Sequence, residues 1–287
     1  MKEENLRHGA KRVHPLRHWL RRKLRPHKNN LGKASIPFDW TKGYDVEDVI
    51  GQLKVKDQGQ SDSCGGQAAA YAFEIQRALL NVKEEISAKS IYAPIAYPGG
   101  GTTPAALQNY MAQKGANLES DVPSYQNGNP PTEAFMTDES WMTYATIQNA
   151  ATRMGLIPIT VDITMESIAE AIRDHGFTIW VIEGQNGNQP GWLSAYPNTP
   201  QAGNPNEIWE HFMCQKGAKT VNGLQQINSF QSWGASVGDN GRQYFHQNYI
   251  DSGHIRDVFT FVPASSVPPT ASFWWRNFAQ YICLFFS

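Results

Sequence analysis

The sequence predicts an α+β protein made of two unlike lobes, helical first and strand-rich second. Three observations predict it. Residues 64–80 carry Ala68, Ala69, Ala70, Ala72, Phe73, Ile75, Ala78 and Leu79, helix formers at helical spacing with apolar residues on most faces; such a helix is central and buried. Residues 177–182 form a short apolar run that reads as a buried strand. Residues 208–218 and 224–230 flank Thr220, Val221, Asn222 and Gly223, and Asn-Gly between such runs is a strong hairpin signal. Helices first and strands second is the pattern of an α+β fold.

The elements follow in chain order. Residues 1–36 read as a basic N-terminal arm, in which Leu16, Leu20 and Leu24 beside Trp19 outline a short amphipathic helix that Pro26 would end. Residues 36–57, with Pro37 and Gly43, read as an extended entry to the main fold. Ser63 stands where an N-cap is needed for the helix over 64–80. A glycine-rich loop spans 98–101, and a helix is expected over 104–114, with Pro104 in its first turn and Gly115 just past its end. Residues 127–131 form a loop by composition. A helix over 165–175 stacks Ile168 on Ile172 and stops at Gly176. From Pro263 the chain becomes a Pro- and Ser-rich linker, followed by an aromatic tail over 273–287. The main domain is therefore residues 37–262, with a helical lobe over about 57–150 and a β-rich lobe over about 151–262.

Composition excludes several classes. The net charge is −1, yet residues 1–33 hold eleven basic residues against two acids, while the remainder holds 14 basic and 24 acidic residues, a net −10. A protein that coats nucleic acid with a basic body is ruled out. Three cysteines are too few for a disulfide framework and fit a reducing compartment. The charged N-terminus is not followed by the apolar core of a secretory signal, and no window is apolar enough for a spanning helix. A cytoplasmic or virion-associated location is the expectation. The arm reads either as a solvated segment or as one that docks on an anionic membrane or nucleic acid. The tail, interrupted by Arg276, Asn277 and Gln280, reads as a membrane-interface helix, a protein contact or a strip docked on the main domain.

The chemistry concentrates around residues 57–66. Cys64 opens the buried helix, where unpaired backbone N–H groups and the positive dipole end favour the thiolate. Gln58, six residues upstream, can aim its side-chain N–H₂ at the same point as the Cys64 backbone N–H, and two such donors make an oxyanion hole. A thiolate needs a basic partner. Of eight histidines, His8, His14, His18 and His27 lie in the arm, His175 sits at a helix end, and His246 and His254 follow the hairpin without a periodic role. His211 lies within an apolar strand, 147 residues after Cys64.

At these residues the chain resembles the papain-like cysteine peptidases, and divergent bacterial or phage members more than lysosomal ones. Gln58, Gly59, Ser63, Cys64 and Gly65 resemble that family's oxyanion glutamine and nucleophile. Gly100 and Gly101, followed by Ala105, Ala106 and Leu107, resemble its substrate-lining glycine pair and the next helix. Leu118 and Glu119, with Val122 through Tyr125, resemble a further family segment, and Glu210 and His211 resemble its histidine strand. Residues 231–234 and 238–241 resemble its Asn-Ser-Trp-Gly block. The resemblance implies a papain-like two-lobe fold, with the Cys helix in the helical lobe and the His strand in a β-barrel-like lobe. It implies a peptidase without cofactor or metal, acting on a peptide or protein substrate through a Cys64–His211 thiolate–imidazolium pair. Gln58 would stand in the oxyanion hole, Gln231 would orient His211, and Trp233 would shield that bond. Gly65, Gly100, Gly101 and Glu210 would line the substrate.

Three departures stand out. Gly65 replaces the aromatic that usually follows the nucleophile, Ser61 replaces a disulfide cysteine, and Gln231 replaces the asparagine that orients the histidine. Gln231 keeps the amide oxygen but sets it one methylene farther out; Asn228 is the fallback, facing the wrong way in a regular strand. Two other readings stay open: a weakened papain-like fold used as a binding module, and a Cys-His amidase acting on cell-wall peptides. Cys214 is expected to face away from the site.

Overall fold

The computed structural model describes residues 36–153, 156–185, 191–197 and 208–263; the sequence readings of the basic arm over 1–33 and of the aromatic tail lie outside them. The entry segment is not purely extended. Strand β1 (Tyr44–Asp45) runs into helix α1 (Val46–Ile50), where Asp45 accepts the Glu47 N–H as an N-cap. The cap and the acids Glu47 and Asp48 in its first turn are the local reason for a helix here.

Helix α2 (Cys64–Leu79) follows, buried from Cys64 to Ile75. Ser63 occupies its N-cap position without making a side-chain cap bond; its hydroxyl is taken by Ser61 Oγ at 2.7 Å and Gln67 Nε2 at 3.3 Å. Next come α3 (Ala88–Tyr92), α4 (Pro104–Gln113), α5 (Glu133–Met136) and α6 (Tyr144–Ala151). Each begins behind a Ser or Thr whose oxygen accepts a backbone N–H: Ser87, Thr103, Thr132 and Thr143. Strand β2 (Leu156–Thr160) and helix α7 (Met165–His175) lead into the sheet, and Gly176 ends α7 with φ 86°. The remaining elements are β3 (Thr178–Gln185), β4 (Ile208–Val221), β5 (Leu224–Phe230), β6 (Arg242–His246), α8 (Gln247–Asp251) and β7 (Ile255–Pro263). The hairpin between β4 and β5 turns at Asn222 and Gly223, both with positive φ as a two-residue turn of this kind requires.

The described strands form one antiparallel sheet in the order β2-β7-β3-β4-β5-β6, with β1 paired to β4. Its central strands are buried on both faces, which is why residues 177–182 are apolar without alternation. Ile179, Val181, Phe212 and Cys214 join the core around α2, while Trp180, Ile182, Trp209 and Met213 join a second core with α7 and Trp233. The architecture is thus α+β with a helical lobe and an antiparallel sheet, and α2 packs directly on β4. That contact brings Cys64 and His211 to the same seam.

Candidate active site

Cys64 is the first residue of α2 and is fully buried. Its Sγ accepts the backbone N–H of Phe212 at 3.4 Å. The strand that carries His211 thus touches the sulfur through the next residue along. An N–H aimed at sulfur, like the start of a helix, stabilises negative charge there.

His211 is also fully buried, and its Nε2 lies 2.8 Å from Gln231 Oε1. Gln231 itself is pinned. Its oxygen also accepts the Ser232 N–H at 2.7 Å, and its Nε2 donates to Gln243 Oε1 at 2.9 Å. Gln243 in turn donates to the carbonyls of Trp192 at 2.7 Å and Ser194 at 3.0 Å. An amide whose nitrogen already donates elsewhere can only present oxygen to the ring, so His211 carries its proton on Nε2. Trp233 stacks on the imidazole with ring centroids 4.4 Å apart and is itself buried. Burial pushes the His211 pKa down to about 4, and the bond to Gln231 works against that fall. The imidazole is therefore neutral at pH 7 unless a neighbouring thiolate stabilises a second proton on the ring.

Gln58 is held to the same corner. Its backbone N–H donates to the Ser232 carbonyl at 2.8 Å, its Oε1 accepts the Ser232 hydroxyl at 2.7 Å, and its Nε2 donates to the Ser61 carbonyl at 2.8 Å. The segment before it is tied down by tyrosine hydroxyls: Lys56 N–H to Tyr71 at 2.7 Å and Asp57 N–H to Tyr125 at 2.9 Å. Ser61, which stands where the resemblance implies a disulfide cysteine, donates to the Gln58 carbonyl at 2.6 Å. A hydroxyl bridge closes this loop.

The other residues singled out in the sequence fall as follows. Gly65 is buried inside the lobe, where a Cβ would meet Thr102 Cγ2 at 2.7 Å and the Phe212 ring at 3.4 Å; these two side chains leave no room for an aromatic. Gly100 and Gly101 both have positive φ, and the Tyr97 N–H donates to the Gly101 carbonyl at 2.9 Å. Glu210 neighbours His211 on β4, and strand alternation puts it on the opposite face, where it is buried. Asn228 lies away from His211 and donates to Asp45 at 2.9 Å. Cys214 belongs to the core on the opposite face of β4 from His211, where burial raises its thiol pKa well above the usual range.

Sequence reasoning gave no role to Ser232, although it lies in the block over 231–234, and missed the other groups that fix these residues. Ser232 and Gln243 hold Gln58 and Gln231 in place. Glu133 accepts the Asp62 N–H at 2.6 Å and the Tyr92 hydroxyl at 2.6 Å, and Tyr92 accepts the Gly101 N–H at 2.6 Å. That chain links the nucleophile loop to the glycine pair. The only sequence signal for it is the N-cap Thr132 ahead of Glu133, and a cap does not report a contact 71 residues away.

Cys64, His211, Gln231 and Gln58 all have 0% exposure.

A cysteine opening a buried helix, set against a histidine strand across two unlike lobes, is the architecture of the papain-like cysteine proteases, and solved structures of that class share this fold. Xylellain, a cysteine protease from Xylella fastidiosa, aligns over 90% of this chain and 97% of its own, with TM-score 0.67 and 16% identity. Procathepsin B S9 from Trypanosoma congolense aligns over 91% and 88%, with TM-score 0.63 and 13% identity. The bromelain protease from Ananas comosus, solved in complex with the E64 inhibitor, aligns over 77% and 98%, with TM-score 0.58 and 17% identity. No protein-family model and no curated protein matches the sequence. At these identities the likeness establishes the papain-like fold. Among the described residues, no helix is long and apolar enough to cross a membrane.

Proposed function

We propose that the chain is a cysteine peptidase that hydrolyses peptide bonds with Cys64 as nucleophile and His211 as base and acid. The observation that carries this reading is the pinned bond from Gln231 Oε1 to His211 Nε2 on the strand whose next N–H reaches Cys64 Sγ. With Nε2 committed to Gln231, Nδ1 is the nitrogen that exchanges a proton with the thiol.

In the first step Nδ1 takes the Cys64 proton while Sγ bonds to the peptide carbonyl carbon. The negative charge that develops on the carbonyl oxygen is met by the Cys64 N–H and by the Gln58 amide, whose direction Ser61 and Ser232 fix. Collapse breaks the C–N bond, and the proton on Nδ1 passes to the leaving amine. Water, giving a proton to the same nitrogen, then attacks the thioester, and the acid product leaves as the thiol is restored. Gly100 and Gly101 would let a substrate backbone come close.

The test is hydrolysis of casein and of short peptides by the full chain, with Cys64→Ala as control. Release of peptides that Cys64→Ala abolishes and E64 blocks supports the reading. Release of amines from peptidoglycan peptides but not from casein replaces it with an amidase. The complete burial of Cys64 and His211 favours one further reading, a papain-like fold used for binding, in which neither protein cleaves anything.

A further inference from the structure

We infer that Gln243 is a positioning residue for His211: acting through Gln231, it passes the direction of two main-chain carbonyls to the ring and so fixes which nitrogen carries the proton. Its effect on rate rests on the peptidase reading above; its effect on the ring does not.

The direction is set at the far end of the chain of bonds. Gln243 lies in β6 and is fully buried. One end of its amide meets two carbonyl oxygens, Trp192 at 2.7 Å and Ser194 at 3.0 Å. A carbonyl only accepts, so that end is the NH₂ group and the other end is the oxygen. The oxygen also only accepts, so Gln231, 2.9 Å away, has to turn its own NH₂ towards it. The Gln231 oxygen is then left for His211 Nε2 at 2.8 Å, and the ring has to donate. Bonds aligned head to tail polarise one another, which strengthens the last acceptor.

The two carbonyls are themselves held. Between them Leu193 accepts the Gly238 N–H at 2.9 Å, and just beyond them Ala195 accepts the Tyr244 N–H at 2.8 Å. The Trp192 ring is buried against Trp209, with centroids 4.7 Å apart. The Ser232 N–H, 2.7 Å from the Gln231 oxygen, points it the same way but offers nothing to the Gln231 NH₂. Taking Gln243 away leaves that buried NH₂ without the acceptor described for it, and the amide is drawn off the ring towards another.

The test reads the ring directly. In the full chain carrying Cys64→Ala, where no thiolate can stabilise a second proton, NMR of the His211 ring nitrogens at pH 7 reports the tautomer. The Nε2–H form alone is expected. Gln243→Met, close in size but without an amide, should admit the Nδ1–H form, whereas Gln243→Glu keeps an oxygen for the Gln231 NH₂ and should retain Nε2–H. With Cys64 intact, Gln243→Met should lower kcat about tenfold, the size of one lost hydrogen bond, with KM unchanged, and Gln243→Glu should lose less. A packing role alone would make Met the better tolerated of the two. The Nδ1–H form with Gln243 in place, or a tautomer that Gln243→Met leaves unchanged whatever happens to kcat, overturns the inference and leaves the peptidase reading standing. The expected tautomers in a chain that cleaves no peptide and forms no E64 adduct uphold the positioning role and overturn the peptidase reading. Should Gln243→Met fail to fold, hydrogen exchange of the two side-chain NH₂ groups in the unmodified chain decides: both have to be protected from water, and free exchange at Gln243 overturns the inference.

Discussion

Gln231 Oε1 lies 2.8 Å from His211 Nε2, within ordinary hydrogen-bond distance despite the extra methylene. The length is absorbed because Gln231 follows the end of β5, its own N–H donating to the Gly241 carbonyl at 2.8 Å, and because Gln243 and Ser232 hold both ends of its amide. If this bond sets the tautomer, Gln231→Ala should lower kcat by about 10- to 100-fold with little change in KM. Gln231→Asn should fall between the two, since a shorter amide cannot reach His211 and Gln243 together. Steady-state kinetics on folded variants checks both.

If His211 is the base of the proposed reaction, Trp233 should set the acid side of the pH profile. The His211 pKa lies near 4 because the ring is cut off from water. The base form is present above that value, so kcat/KM should rise through about pH 4 and then level. Trp233→Ala admits water, weakens the desolvation that favours the neutral ring, and moves the pKa up towards 6.5. The acid limb should shift upward by the same amount. A limb that stays in place would mean that Trp233 does not dry the site.

Gly65 is explained by packing. A Cβ there would meet Thr102 Cγ2 at 2.7 Å, so Gly65→Ala should cost about 1–3 kcal/mol of stability. Thr102→Ser removes that methyl and keeps the bond to the Ile95 carbonyl. The double variant should recover most of the loss in urea unfolding, and no recovery would place the strain elsewhere.

The Gln58 segment rests on a buried ion pair. Lys56 Nζ lies 2.7 Å from Glu74 Oε1, with both side chains at 5% exposure or less. Glu74 also accepts the Ile86 N–H at 2.8 Å, and its pKa is raised because burial outweighs these partners. Lys56→Met leaves that carboxyl without its cation and should destabilise by about 3–5 kcal/mol. Adding Glu74→Gln removes the charge and keeps an acceptor for Ile86, so the double variant should be more stable than Lys56→Met alone. The urea midpoints decide.

Much of this arrangement is legible in the sequence where the signal is local. Helix α2, helix α7 with its Gly176 stop, and the Asn222-Gly223 hairpin are written in periodicity and turn chemistry. Helix α1 and strands β2, β6 and β7 are not. The first spans five residues, β2 and β7 find each other from distant parts of the chain, and β6 pairs with the preceding strand β5 across a loop. The same division holds at the site. Cys64 and Gln58 stand in an informative motif, and His211 stands out by elimination. Gln243, Tyr92 and Glu133, which brace those residues or the loops beside them, are ordinary polar residues until the fold brings them together, and Ser232 stands in a named block without a role of its own. The packing around Gly65 is hidden for the same reason, since its neighbour Thr102 lies 37 residues away.

The central claim is that Cys64 is a nucleophile activated by His211. It is tested most directly by the rate at which E64 and iodoacetamide modify Cys64 in the intact chain, followed by mass spectrometry at pH 5 and pH 7, with His211→Ala and Cys214→Ala alongside. The account predicts one adduct, on Cys64, formed faster than on a free-thiol peptide, unaffected by Cys214→Ala and strongly slowed by His211→Ala. A Cys64 that reacts no faster than the peptide thiol, or equally fast without His211, would contradict it.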